Sequence, residues 1–436
     1  MKYAPIRYKE RQRRAGFFLP LLLAFYLAVP IYPIPLIGLS FSFPLVLFLA
    51  LKSGKLQISG RTPLTALLLT LVVALVLSFA VNVFTGDLVK DLDFSVQNIL
   101  QFCFFVITSS LAYKLFLIPD FPQKAALAFA LGIAVMSLFI VVENVAFGSL
   151  LSTGGWSRLT RMSQNSYAVQ FSSYLPFVYY AAVASVPKTR RIRWILIGSF
   201  CLFAVLVNGS RTAWITTFLT LLIFLGLYSF VLGKYKVMVL AALVAPMITL
   251  AGWMMLPESL KNNLEKDFNT YENLEADKSW MIRQLQIQKS MKIFDESPWF
   301  GVGPAQFRNQ RIGLDMPDVL AGRGAQEFSA VSAHNSYIQF LSEAGLVFIV
   351  PFLVMLSWLL VAGARASIIL ARTGEVWPLG LFAGLVGLSV HFWTISGLTT
   401  TGPWFLYGAM AATITRAKLV QRQLNQNRAG TIRWMR

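Results

Sequence analysis

The 436-residue chain is short of charge. Asp, Glu, Lys and Arg together supply 13% of it, against about 25% in an ordinary soluble domain. Histidine and cysteine are scarcer, at two residues each. Cys103 and Cys201 both lie inside apolar runs, so no polar segment offers a disulfide framework. There is no Cys/His cluster with zinc spacing, no Gly-rich phosphate loop, no dinucleotide turn and no Gly-x-Ser-x-Gly elbow. Nucleotide-driven chemistry is therefore not indicated. What abounds is hydrophobic sequence, at 56%. That excess excludes a soluble enzyme, a disordered chain and a secreted disulfide scaffold.

A membrane-spanning helix needs about 20 mostly apolar residues. About twelve runs qualify, at 16–32, 35–51, 62–84, 95–118, 124–147, 167–186, 194–207, 214–232, 237–256, 337–363, 378–396 and 403–415. The basic N-terminus feeds the first run without a small-residue cleavage site, so it reads as an uncleaved first helix. The fold class expected is thus an all-α polytopic membrane protein of about 12 transmembrane helices. Residues 1–256 carry spans one to nine, 257–333 form one large helical loop on the outer side, 334–415 carry the last three spans, and 416–436 are a basic cytoplasmic tail. Alternating sides from a cytoplasmic N-terminus puts 25 basic residues on the inner face against three acidic ones, Glu10, Asp120 and Glu375. That is the positive-inside pattern, with both termini cytoplasmic. The net charge of +19 is a topology signal, and nucleic-acid binding is not needed to explain it.

The 257–333 loop is mixed in sign and not of low complexity. Loops beyond about 15 residues are usually functional or disordered. Its segments 257–274 and 279–296 read as helices. Ser297-Pro298 stops the second, and Gly301-Val302-Gly303-Pro304 makes a tight turn.

The chemistry gathers on the outer side. His334 stands where the loop re-enters the membrane, and an imidazole with an ordinary pKa of about 6.5 suits a general base. The bland alternative is a helix-start histidine bonded to loop carbonyls. Arg211 interrupts two apolar stretches at the outer edge, where a guanidinium meets phosphate well; a snorkelling interfacial arginine is the alternative. Arg283 lies on the loop helix. Lys289 and Lys292 follow it too far on to be immediate helical neighbours, and a solvated face is the plain reading. Arg158 and Arg161 occupy another outer loop. Asp91 and Asp93 form a weak metal signal and read as solvated acids. His391 is mid-span and reads equally as functional or as a packed neutral histidine.

The string from His334-Asn335-Ser336-Tyr337 to Glu343-Ala344-Gly345 resembles the signature of the O-antigen ligase/polymerase superfamily, His-Asn-x-Tyr-Leu followed by Glu-x-Gly. Ser210-Arg211-Thr212-Ala213-Trp214 resembles the family's Ser-Arg-x-Ala-Trp segment. Arg283 precedes Ser297-Pro298-Trp299-Phe300-Gly301-Val302-Gly303-Pro304-Ala305-Gln306-Phe307, which resembles its Pro-Leu-x-Gly-x-Gly-x-x-x-Phe segment. The match covers roughly 208–345. The family's Arg…Gly…Pro-Asn segment is not reproduced at 158–165, which leaves open whether Arg158 or Arg161 corresponds.

The resemblance implies a GT-C-like helical fold in the bacterial inner membrane with a periplasmic active site. It implies an inverting, metal-independent glycosyltransferase without a cofactor. The donor would be a glycan on undecaprenyl diphosphate. The acceptor would be a hydroxyl of the lipid A core (ligase) or of a second lipid-linked repeat unit (polymerase). The motifs do not separate the two, and the reading leans to polymerase. Catalysis would rest on His334, Arg211 and Arg283, with Arg158, Arg161, Tyr337 and Asn335 toward substrate. Membrane lipid and a possible chain-length regulator are the other partners expected. A twelve-span polysaccharide-lipid transporter or flippase is the alternative, weakened by the lack of self-similar halves. A non-catalytic scaffold is a third reading.

Overall fold

In the computed structural model, the described residues are 18–28, 63–85, 92–147, 164–236, 278–310, 333–394 and 400–434, with 48, 49, 254 and 258 as isolated positions. They form helices and no strand. In chain order these are α1 (Phe18–Ala28), α2 (Pro63–Thr85), α3 (Leu92–Leu117), α4 (Phe121–Phe147), α5 (Gln164–Ala184) and α6 (Lys188–Val207). There follow α7 (Arg211–Leu232), α8 (Lys278–Glu296), a 3-10 turn (Phe307–Asn309), α9 (Ser336–Arg372), α10 (Trp377–His391) and α11 (Thr401–Trp434).

Ten of the twelve apolar runs expected from sequence coincide with one of these helices. The runs 35–51 and 237–256 lie outside the described residues, apart from isolated positions, as does the expected helix 257–274. Five described helices are long and apolar enough to cross a membrane: α2, α3, α4, α7 and α9. The protein is an all-helical, polytopic membrane protein over its described residues. Its outward faces fit a lipid surround. Leu69, Val73 and Val76 on α2, Ile215, Phe218 and Leu222 on α7, and Val350, Leu353 and Val354 on α9 are exposed. Water would penalise such stripes, whereas acyl chains do not.

Helix packing is built on small residues. α5 lies at the centre, touching α4, α6, α7 and α10, while α9 packs on α2, α10 and α11, and α3 on α11. At Gly408 an added Cβ would strike the carbonyl of Ser109, and at Gly387 it would strike Thr220. The Ser109 hydroxyl also donates to the carbonyl of Trp404 at 2.7 Å. Close backbone approach and inter-helix hydrogen bonds replace the hydrophobic drive that lipid cannot supply.

Two helices depart from their expected lengths. α9 runs on to Arg372, because Ala366, Ser367, Leu370 and Ala371 keep a buried face beyond Gly363. α11 continues to Trp434, well past 415. Arg416 on α11 pairs with Glu375 ahead of α10 at 2.9 Å. Both were expected on the inner face, and their pairing puts them at one end of the bundle. His334 and the starts of α7 and α9 lie at the other.

Candidate active site

α9 is not one helix. Gly345 has φ 66 and ψ −166, which breaks the helix inside its apolar stretch. A break there strands backbone groups that lipid cannot satisfy. The segment after α8 fills it. Val302 and Gly303 N–H donate to the carbonyls of Ser342 and Glu343 at 3.1 and 2.9 Å, and Leu346 and Val347 N–H donate to those of Pro298 and Trp299 at 2.9 and 3.2 Å. Gly301 and Gly345 allow this approach, since a Cβ at either would collide with the opposite backbone.

Polar residues within the apolar helices complete the clamp. The Ser78 hydroxyl donates to the Phe300 carbonyl at 2.5 Å, and Asn82 Nδ2 to that of Gly301 at 3.1 Å. Ser95 Oγ donates to the Pro304 carbonyl at 2.7 Å and accepts from Gln306 Nε2 at 2.8 Å. Glu343, fully buried, accepts from Ala305 N–H and Gln339 Nε2, each at 3.2 Å. The sequence reading named Glu343 as a motif residue, and these bonds do structural work. It did not pick out Ser78, Asn82 or Ser95. Their signal was a polar residue inside an apolar run, as in Val81-Asn82-Val83.

The clamp fixes α8 to α9 and so brings Arg283 toward His334. Ile293 of α8, Phe307 and Ala333 share a small core with Val302 packed on it. His334 follows Ala333 in a left-handed conformation, φ 47, one of two non-glycine positive values among the described residues. A non-glycine residue held there points to surroundings that over-determine it. Burial first, then the charge of Arg283, holds the imidazole below its usual 6.5. It is therefore neutral at pH 7. Nδ1 is sealed without a hydrogen-bond partner among the described residues.

Asn335 and Tyr337, expected toward substrate, each bond to backbone at the start of α9. The Asn335 side-chain oxygen caps α9, accepting from Tyr337 and Ile338 N–H at 3.0 and 3.2 Å. The Tyr337 hydroxyl donates to the Ser389 carbonyl at 2.7 Å, and Ser336 N–H donates to the Phe392 carbonyl at 2.8 Å. Both residues are buried, with those atoms bonded to backbone. They pin the turn that carries His334.

Arg211 opens α7. Ser210 caps that helix, accepting from Ala213 N–H at 3.4 Å, and donates to Asn165 Oδ1 on α5 at 3.2 Å. Trp214 Nε1 donates back to the Val205 carbonyl at 3.1 Å. The arginine thus stands at a helix N-terminus, where unpaired N–H groups also favour an anion. His391 ends α10, fully buried, with Nδ1 3.4 Å from Thr216 Oγ1 on α7. It lies within electrostatic reach of Arg283 and close to the Asn165 backbone. His391 therefore sits between the Arg211 helix and the His334 turn.

Arg158, Arg161 and Asp91 lie outside the described residues, and Asp93 is in the first turn of α3. Among the described residues no three His, Cys, Asp or Glu side chains gather as a metal site. The arrangement offers a neutral imidazole and two guanidiniums at one end of a membrane bundle. Such groups can take a proton from a hydroxyl and stabilise a departing oxyanion.

Residues 196–353 match the family model described as O-Antigen ligase. That stretch runs from within α6 to within α9 and holds Arg211, Arg283 and His334. No curated protein matches the chain.

Proposed function

We propose that the chain, whose residues 196–353 resemble the O-antigen ligase family, moves a glycan from undecaprenyl diphosphate to a sugar hydroxyl at the periplasmic face of the bacterial inner membrane. The observation that carries this reading is the neutral His334 held in a strained turn beside the charge of Arg283. A base of that kind has use for a weakly acidic proton, and a sugar hydroxyl supplies one.

The acceptor oxygen attacks the anomeric carbon as His334 Nε2 takes its proton. The bond from that carbon to the diphosphate oxygen breaks. Its electron pair leaves on the lipid diphosphate, where Arg211 and Arg283 meet the added charge. Attack opposite the leaving group inverts the anomeric centre. The two guanidiniums supply positive charge that a divalent ion would otherwise provide, so the reading includes no metal and no cofactor. A desolvated electrostatic donor of this kind is worth about 100- to 1000-fold in rate. Arg158 or Arg161 adds a contact to the donor in this reading. The architecture goes with it: twelve spans, a GT-C-like arrangement and cytoplasmic termini.

Purified protein reconstituted with a lipid-diphosphate-linked repeat unit tests this. A ladder of longer lipid-linked glycans identifies a polymerase. Transfer that requires added lipid A core identifies a ligase. In either case His334→Ala is expected to lose about 100- to 10,000-fold in rate. Wild-type turnover in that variant would remove the base from the mechanism.

A further inference from the structure

The inward face of α8 carries two polar side chains that the transfer step leaves unused. Gln286 is 3% exposed and Lys289 is 4% exposed. With Arg283 they are spaced three residues apart along the helix, about 4.5 Å of rise at each step. Neither the amide oxygen nor the amide nitrogen of Gln286 has a hydrogen-bond partner among the described residues. A buried amide without partners is destabilising, and proteins seldom keep one without use.

Lys289 has a related imbalance. Its ammonium lies over the ring of Phe307, 4.6 Å from the centroid. No carboxylate among the described residues pairs with it, although buried ammonium groups are ordinarily matched by an anion. Burial lowers its pKa to about 8, so the cation still predominates at pH 7. Phe307 packs with Ala333, the residue before His334. Phe307 and Ala333 thus connect Lys289 to the turn that carries His334, and Arg283 stands three residues before Gln286 on α8.

We propose that Gln286 and Lys289 form a glycan subsite beside the transfer centre, one that takes an oxyanion and a neighbouring hydroxyl. The ammonium binds the anionic oxygen, and the amide both donates to and accepts from the hydroxyl. The oxyanion is the carboxylate of an acidic sugar or a phosphate oxygen of the lipid-linked donor. This subsite rests on the lipid-diphosphate transferase reading above.

The test uses full-length protein in lipid nanodiscs. Thermal unfolding is followed against sodium glucuronate, glucose and inorganic diphosphate, for wild type, Gln286→Met and Lys289→Met. Methionine is apolar and of similar length, so removing an unmatched polar group leaves the unfolding temperature unchanged or raises it. One of the two anions protects wild type and glucose at the same concentration does not. In each variant the apparent affinity for that anion falls by about tenfold to about a hundredfold, the loss of one charge-assisted contact. Variant-sensitive protection by glucuronate assigns an acidic sugar, and variant-sensitive protection by diphosphate assigns the donor's phosphate.

The subsite is overturned if neither anion protects wild type, if protection is equal in the variants, or if both variants unfold at clearly lower temperature. Binding of undecaprenyl diphosphate to the same wild-type sample separates the two readings. Binding that Arg211→Ala weakens, together with any of those three results, removes the subsite alone. Absence of undecaprenyl diphosphate binding removes the transferase reading and the subsite with it.

Discussion

Replacing Gly345 by alanine tests how the site is held together. The residue has φ 66 and ψ −166, a region that is essentially glycine-only and costs other residues about 1–3 kcal/mol. Its added Cβ would also collide with the carbonyl of Trp299. To relieve that contact the 298–303 segment must withdraw. The four backbone bonds that join it to 342–347 are then strained or lost, at about 0.5–1.5 kcal/mol each. Strain and lost bonds together reach roughly 3–9 kcal/mol if all four go. The same movement carries α8 away from α9, and Arg283 away from His334. A displacement of about 1 Å costs about a hundredfold in rate.

The assay is paired thermal unfolding and glycan transfer in detergent. Gly226→Ala on α7 serves as control, since nothing lies within 4 Å of its would-be Cβ, and it is expected to match wild type. Gly345→Ala is expected to unfold at lower temperature and to lose at least about a hundredfold in turnover. Wild-type stability and turnover in Gly345→Ala would refute the view that the helix break organises the site.

Four further outcomes are expected. Transfer should fall on the acid side only as pH drops through a value below 6.5, because the proposed mechanism uses His334 as the neutral base and its pKa is lowered by burial and then by Arg283. Arg283→Gln should move that acid limb to higher pH, and an unmoved limb would separate the two residues. Ser95→Ala should cost about 1–3 kcal/mol in unfolding free energy, because the Pro304 carbonyl and Gln306 amide lose their shared partner; an unchanged melt would mean that the anchor is idle. Glu375→Gln at the far end should cost at most about 1 kcal/mol, as the half-buried pair with Arg416 is weakened, and should leave transfer unaffected.

Much of the helix plan is legible along the chain, because the bilayer sets one strong rule. A span must be long and apolar, so runs such as 62–84 and 214–232 announce α2 and α7 within two or three residues. Charge placement likewise put Glu375 and Arg416 on one face before their contact was seen. Motif residues could be named because the proposed chemistry needs particular groups: a base, and cations for a diphosphate. Their roles were less legible. Asn335 and Tyr337 stand in the motif beside His334, yet one caps a helix and the other holds a carbonyl of α10. A motif records residue types, and it does not say which groups each of them bonds.

Residue type and spacing thus determined, without coordinates, a many-helix membrane protein with His334, Arg211 and Arg283 as its candidate chemistry. Only the tertiary structure decided how the segment after α8 is joined to α9. The glycine turn at 301–303 enters a break in α9 at Gly345, and polar side chains of α2 and α3 bind the intruding backbone. The physical reason is hydrogen-bond accounting. Backbone groups opened inside a membrane bundle must be paired, and the segment that pairs them is chosen by shape in three dimensions, which no local pattern in the chain expresses.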